Sequence, residues 1–136
     1  MNPRHLEIVQ AGAEMLDRWR SANPEVSLDL SGAKLAGANL SGLNLAQSHL
    51  ENVDLTGADL EETEFTQANM LGAKLKGANL KRAILFRTVL VDADARDADF
   101  TGAMMYRTNL RGADITGAKF ARATTLKTVW PDTRVP

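Results

Sequence analysis

Ala38-Asn39-Leu40-Ser41-Gly42 and Ala98-Asp99-Phe100-Thr101-Gly102 are two copies of one five-residue phrase, and Ala58-Asp59-Leu60 and Ala78-Asn79-Leu80 repeat its first three places. Reading every fifth residue from Leu30 to Phe120 gives a large apolar side chain in eighteen of nineteen cases, with Ala95 the exception. Two residues ahead of each lies a smaller series, and twelve of its nineteen members are alanine. The other three places in each unit are mostly polar or glycine. A short fixed period of this kind outranks any single residue, because it sets the architecture.

The period suits neither regular element. In an α-helix five residues advance about 500°, so successive leucines would spread over the whole surface. In a flat strand an odd period sends alternate leucines to opposite faces. One path satisfies every unit: a three-residue extended piece points its first and third side chains inward, and the next two residues turn a corner. The chain then winds around its own core. Nine glycines, Gly32 and Gly102 among them, share one corner position, and Asn52, Asp92 and Asp97 also occupy it. These residue types tolerate the positive φ that tight turns require.

The phrase A-(D/N)-L-x-x resembles the repeat of the pentapeptide-repeat family over about residues 28–127, twenty units. The resemblance implies an all-β solenoid, a right-handed quadrilateral β-helix of about five coils. Four sides come from the resemblance; the glycine spacing alone suits fifteen-residue coils nearly as well. With strands about 4.8 Å apart, five coils stack to roughly 24 Å. On a twenty-residue coil, Leu40, Leu60, Leu80, Phe100 and Phe120 form one column behind a column of alanines. Small beside large fills a narrow interior. Thr88, Thr108 and Thr128 face inward on another side, where a packing role is expected and a hydroxyl ladder or ordered water is the alternative.

Open solenoid ends need caps. The expected organisation is a capping helix and lead-in segment at 1–27, the solenoid at 28–127 and a tail at 128–136. Asn2 and Pro3 suit the start of a helix over 3–22, and Asn23-Pro24 suits its end. Leu6, Val9, Ala13, Leu16 and Trp19 give that helix one apolar stripe. Trp130, in register with Leu90 and Leu110, is expected to plug the last coil. The alternative for that end is a dimer of stacked C-terminal faces, a mode the resemblance implies.

Little here points to catalysis. The chain has 136 residues, no cysteine, two histidines and a net charge of −1. No disulfide or thiolate site is available, and no apolar run reaches the ~20 residues that span a bilayer. Arg4, Glu7, Glu14, Asp17, Arg18 and Arg20 are unlike a secretory signal, so a cytoplasmic setting is expected. His5 and His49 lack metal-ligand spacing, and no phosphate-binding loop occurs. No cofactor and no metal are expected. Asp92, Asp94, Asp97 and Asp99 form the densest carboxylate group, without EF-hand spacing, and Arg96 lies among them.

The anomaly is apolar residues at outward places. Ile84 and Met104 stand where Asp or Asn is usual, Phe86 and Tyr106 stack one coil apart beside Arg87 and Arg107, and Leu71, Val89 and Val91 lie around the adjoining corner. A contiguous patch with aromatic and Arg members reads as an interface with a second copy or another protein, unless the N-terminal helix or the tail covers it. The function expected is a non-catalytic protein-binding or scaffold module. The resemblance also implies an alternative, a DNA-mimicking binder of DNA gyrase or another type II topoisomerase. That role needs a strongly acidic surface, and here Lys34, Lys74, Lys76, Lys81, Arg82, Arg96, Arg111 and Arg122 decorate the walls among the acids. Neither a membrane nor direct nucleic-acid contact is expected.

Overall fold

A computed structural model describes residues 1–132. The last four residues of the tail expected at 128–136 lie outside the described residues. From Asp29–His49 to Asn109–Val129, parallel bridges join residues twenty apart, so four five-residue units complete each turn of the coil. This register is carried by hydrogen bonds between successive coils. Leu40 N–H donates to the Asp59 carbonyl at 2.9 Å, and Asp59 N–H donates back to the Ala38 carbonyl at 2.9 Å. Fifteen-residue coils are excluded.

Each unit explains its own sequence. The middle residue of the extended piece faces out, and where it is Asp or Asn its carboxyl or amide oxygen accepts from the N–H two residues on. Asn39 accepts from Ser41, Asp59 from Glu61 and Asp99 from Thr101, at 3.1, 3.1 and 2.9 Å. This local bond fixes the start of the turn and is the reason for the D/N preference. The turn closes with a bond such as Ala58 N–H to the Leu55 carbonyl at 3.0 Å. Its third residue is left-handed, as at Gly57 with φ 66°. The flanking residues point inward, and Leu60, Phe65, Met70, Leu75 and Leu80 are completely buried. Ala95 is buried as well, so the unit with the smallest central residue keeps the winding.

The inward hydroxyls do not bond one another. Thr63, Thr88, Thr108 and Thr128 each donate to a carbonyl of the coil before, at 2.8, 2.7, 2.6 and 2.5 Å, to Leu40, Phe65, Leu85 and Met105 respectively. A buried hydroxyl is thereby satisfied without water.

The N-terminal cap differs from the single helix expected over 3–22. Two helices form, α1 (Pro3–Gln10) and α2 (Ala13–Ala22). Gly12, with φ 102° and ψ −177°, breaks the helix between them, a conformation open to glycine because it has no Cβ. The break turns the chain so that Ile8 and Val9 from α1 and Leu16 from α2 are all buried over the first coil. Leu6 and Trp19 pack partly buried against the same core, and Ala13 stands exposed instead of joining the stripe. Trp19 meets the His5 ring edge-on at 4.9 Å.

Polar groups of the cap stand in for a missing coil. Asn2 N–H donates to the Asp29 carbonyl at 3.0 Å, and Asp29 N–H donates to His5 Nδ1 at 2.9 Å. The Arg20 guanidinium donates to the Asn44 and Ala46 carbonyls at 2.7 and 2.9 Å. These contacts satisfy edge groups that would otherwise invite pairing with another chain.

Candidate protein-interaction surface

On the coil, units twenty residues apart stack, so each outward place becomes a column. Ile84 and Met104 sit in one column above Asn44 and Glu64. At the adjoining turn Phe86 and Tyr106 stack edge-to-face with ring centroids 6.4 Å apart. Val89 stands in the next outward column, and Leu71 and Val91 at the turn after it. Leu71 and Met104 are 42% and 41% exposed, whereas Ile84, Phe86, Val89, Val91 and Tyr106 are half-buried by their own coil neighbours. Neither helix covers them: the nearest cap contact on this wall is Arg20, two coils below at Asn44 and Ala46. The residues named from the sequence therefore come together on adjoining walls.

Local structure would prefer other residues here. Ile84, Val89 and Met104 occupy the place where Asp or Asn would make the turn-starting bond, and an aliphatic side chain forgoes it. Arg107 Nε donates to the Tyr106 hydroxyl at 3.1 Å, and its guanidinium lies 5.5 Å from the ring centre. That hydrogen bond holds the phenol below its usual range, and the charges of Arg107, Lys127 and Arg87 act the same way.

The far end of the coil presents a second apolar surface. Phe120 stacks on Phe100 at 5.0 Å and meets Trp130 edge-on at 5.1 Å. Trp130 is 41% exposed, Val129 48% and Leu126 64%, so the expected plug packs on Phe120 and leaves part of that face open. Between the helices and the first coil runs a groove of about 340 Å³ over Val9, Leu35, Leu40 and Leu43. Its lining holds no acid, base or metal-binding side chain.

The acidic group resolves into structural pairs. Arg96 forks onto Asp94 with contacts of 2.8 and 2.6 Å, which draws the Asp94 carboxyl down to about 2. Asp92 and Asp97 lean over Gly112 and Gly117 of the coil above. Arg82 bridges Glu61 and Glu62. Among the described residues no group of three or more acidic or histidine side chains is placed to hold a metal ion, and no helix is long and apolar enough to cross a membrane.

The profile described as Pentapeptide repeats matches residues 29–66, 44–82 and 83–122 with eight copies. The chain belongs to the pentapeptide-repeat family. Among solved structures of such proteins it is similar to Rfr23 from the cyanobacterium Cyanothece 51142, at 21% identity over 87% of this chain and 99% of that one, with a TM-score of 0.53. It is 30% identical to alr5209 from Nostoc Pcc 7120 over 91% of this chain and 88% of that one, with a TM-score of 0.30. QnrB1, a plasmid-mediated fluoroquinolone resistance protein, aligns at 16% identity over 76% of this chain and 61% of that one, with a TM-score of 0.45. No curated protein matches the chain. The likeness to Rfr23 supports the solenoid fold that the bridge register shows, and the partners are left to be read from this chain's own surface.

Sequence reading missed His5 and Arg20 as capping groups. Each fills the place of a residue in a neighbouring coil, and no spacing in the sequence encodes that. It also missed Leu126 and Lys127 as the upward continuation of the Phe86–Tyr106 and Arg87–Arg107 columns, although the period of twenty gives both once it is known.

Proposed function

We propose that the chain is a non-catalytic, protein-binding module that uses the wall around Phe86, Tyr106, Ile84 and Met104 as its docking surface. The carrying observation is that Ile84, Val89 and Met104 replace the Asp or Asn favoured by the turn, next to an edge-to-face aromatic pair that is half-exposed among the described residues. A rigid wall loses little conformational entropy when it binds, and aromatic and Arg side chains are the anchors interfaces favour. We take the coil as a right-handed, four-cornered β-helix, since extended L-residue chains feed right-handed connections. Residues 1–27 then serve as its cap, and the cysteine-free sequence suits the cytoplasm. The acidic DNA-mimic role is disfavoured by the cations Arg87 and Arg107 on this wall, which pair with no acid among the described residues.

Photo-cross-linking in the native host tests the reading. Benzoylphenylalanine in place of Phe86 or Met104 should trap another polypeptide, and the same group in place of Lys34 or Lys74 on the far wall should not. Equal trapping from both walls, or none from the first, refutes it.

A further inference from the structure

The near-zero net charge conceals a reversal along the coil axis. Residues 1–67 carry four Lys and Arg against eleven Asp and Glu, a net −7, whereas residues 68–136 carry twelve against six, a net +6. The reversal appears on the docking wall itself. Glu51 and Glu64 lie in its lower coils, and Arg87, Arg107, Arg111 and Lys127 outnumber the one acid, Asp92, in its upper ones. The apolar side chains of the patch fall between.

The corner through the patch is also set apart by its backbone. Its five residues Gln47, Gln67, Arg87, Arg107 and Lys127 are all left-handed, with φ between 53° and 59°. Each of the other three corner columns includes at least two glycines. Retaining long side chains at left-handed positions costs about 1 kcal/mol each. Among the described residues, none of Arg87, Arg107, Arg111 and Lys127 has an ion-pair partner, unlike Arg82 and Arg96. Stacked about 4.8 Å apart per coil, Arg87, Arg107 and Lys127 repel one another.

We propose that this wall docks a second copy of the chain, side by side and antiparallel, about a two-fold axis at the level of Ile84 to Tyr106. The inference rests on the reading of the wall as a docking surface. A two-fold contact is self-complementary. It lays apolar on apolar at the centre, and it sets each copy's basic upper coils against the other's acidic lower coils. An extended polyanion would meet Glu51 and Glu64 further down the wall, and an uncharged apolar partner would leave the cations unmatched. The two copies overlap over four coils, about 19 Å, and the patch turns a corner, so at most about 1,000 Å² is buried in total, at the lower limit for a specific interface. The dimer is therefore weak and salt-sensitive.

Sedimentation velocity from about 5 to 500 µM should show reversible dimerisation, weakened about tenfold when NaCl rises from roughly 0.05 to 0.5 M. Met104→Glu should weaken it more than tenfold with the melting temperature unchanged, since Met104 is exposed. Orientation follows from single spin labels on Gln47→Cys and Lys127→Cys in this cysteine-free chain. In mixed dimers the distance from 47 to the partner copy's 127 should be shorter than either like-to-like distance. A shortest 127-to-127 distance means stacking through C-terminal ends and overturns the proposal. Like-to-like distances that are both shorter mean a parallel pair and overturn it too. A chain that stays monomeric throughout also overturns it, and the cross-linking experiment then decides separately whether the wall docks another protein.

Discussion

Leu60→Ala removes three carbons from the middle of the column formed by Leu40, Leu60 and Leu80. Leu60 is completely buried, and its own N–H is held to the Asn79 carbonyl at 2.7 Å. Lost transfer energy is about 2.4 kcal/mol at ~0.8 kcal/mol per carbon. The walls are pinned above and below by bonds such as Leu40 N–H to the Asp59 carbonyl, so the site does not collapse. A cavity of roughly 70 Å³ adds about 1.7 kcal/mol, giving about 4 kcal/mol in all. Leu126→Ala, at a side chain 64% exposed, should cost less than about 0.5 kcal/mol. Urea titrations followed by circular dichroism measure both, with an unchanged slope confirming the same unfolding reaction. A loss below about 1.5 kcal/mol for Leu60→Ala, or equal losses for the two variants, would refute the argument that a pinned coil cannot close on a void.

Three further outcomes follow from the structure. Gly112→Ala and Gly77→Ala should each destabilise by about 1–2 kcal/mol, because both have left-handed φ and the exposed Asp92 carboxylate beside Gly112 is free to swing away; a difference between the two above about 1 kcal/mol in urea titrations would contradict this. Acidification should destabilise the chain: the Arg96 hydrogen bond draws Asp94 to about 2, and hydroxyl hydrogen bonds from Ser31, Thr56, Thr101 and Thr116 lower Asp29, Asp54, Asp99 and Asp114. Folded values below the unfolded ~3.9 mean stability is complete above that pH and lost as pH falls toward 2, so melting temperatures that hold or rise between pH 5 and about 2 contradict the assignment. His5→Leu removes the acceptor of the Asp29 N–H and should cost about 1–3 kcal/mol, with faster hydrogen exchange at the Asp29 amide; unchanged exchange there would show the bond is dispensable.

The interior was legible because its signal is local. Side chains at fixed intervals of five share a core only if the backbone winds around them, and Leu60 and Phe65 are buried accordingly. The left-handed corners at Gly57 and Asp97 followed from residue type for the same reason. The two-helix cap was less legible. The stripe from Leu6 to Trp19 reads as one helix, and the break depends on Gly12 meeting the curvature of the first coil. The outward patch was visible as residue choices, whereas its exposure depended on where the helices docked.

The sequence alone determined that this chain coils, which residues fill the coil, and where each corner turns, because those are properties of a five-residue neighbourhood. Tertiary structure decided that the coil closes at twenty residues, since hydrogen bonds between successive turns choose among registers that the repeat leaves equivalent. That closure in turn decided what stacks on what. Arg87, Arg107 and Lys127 are twenty residues apart in sequence and become neighbours only when the turns are laid one upon another.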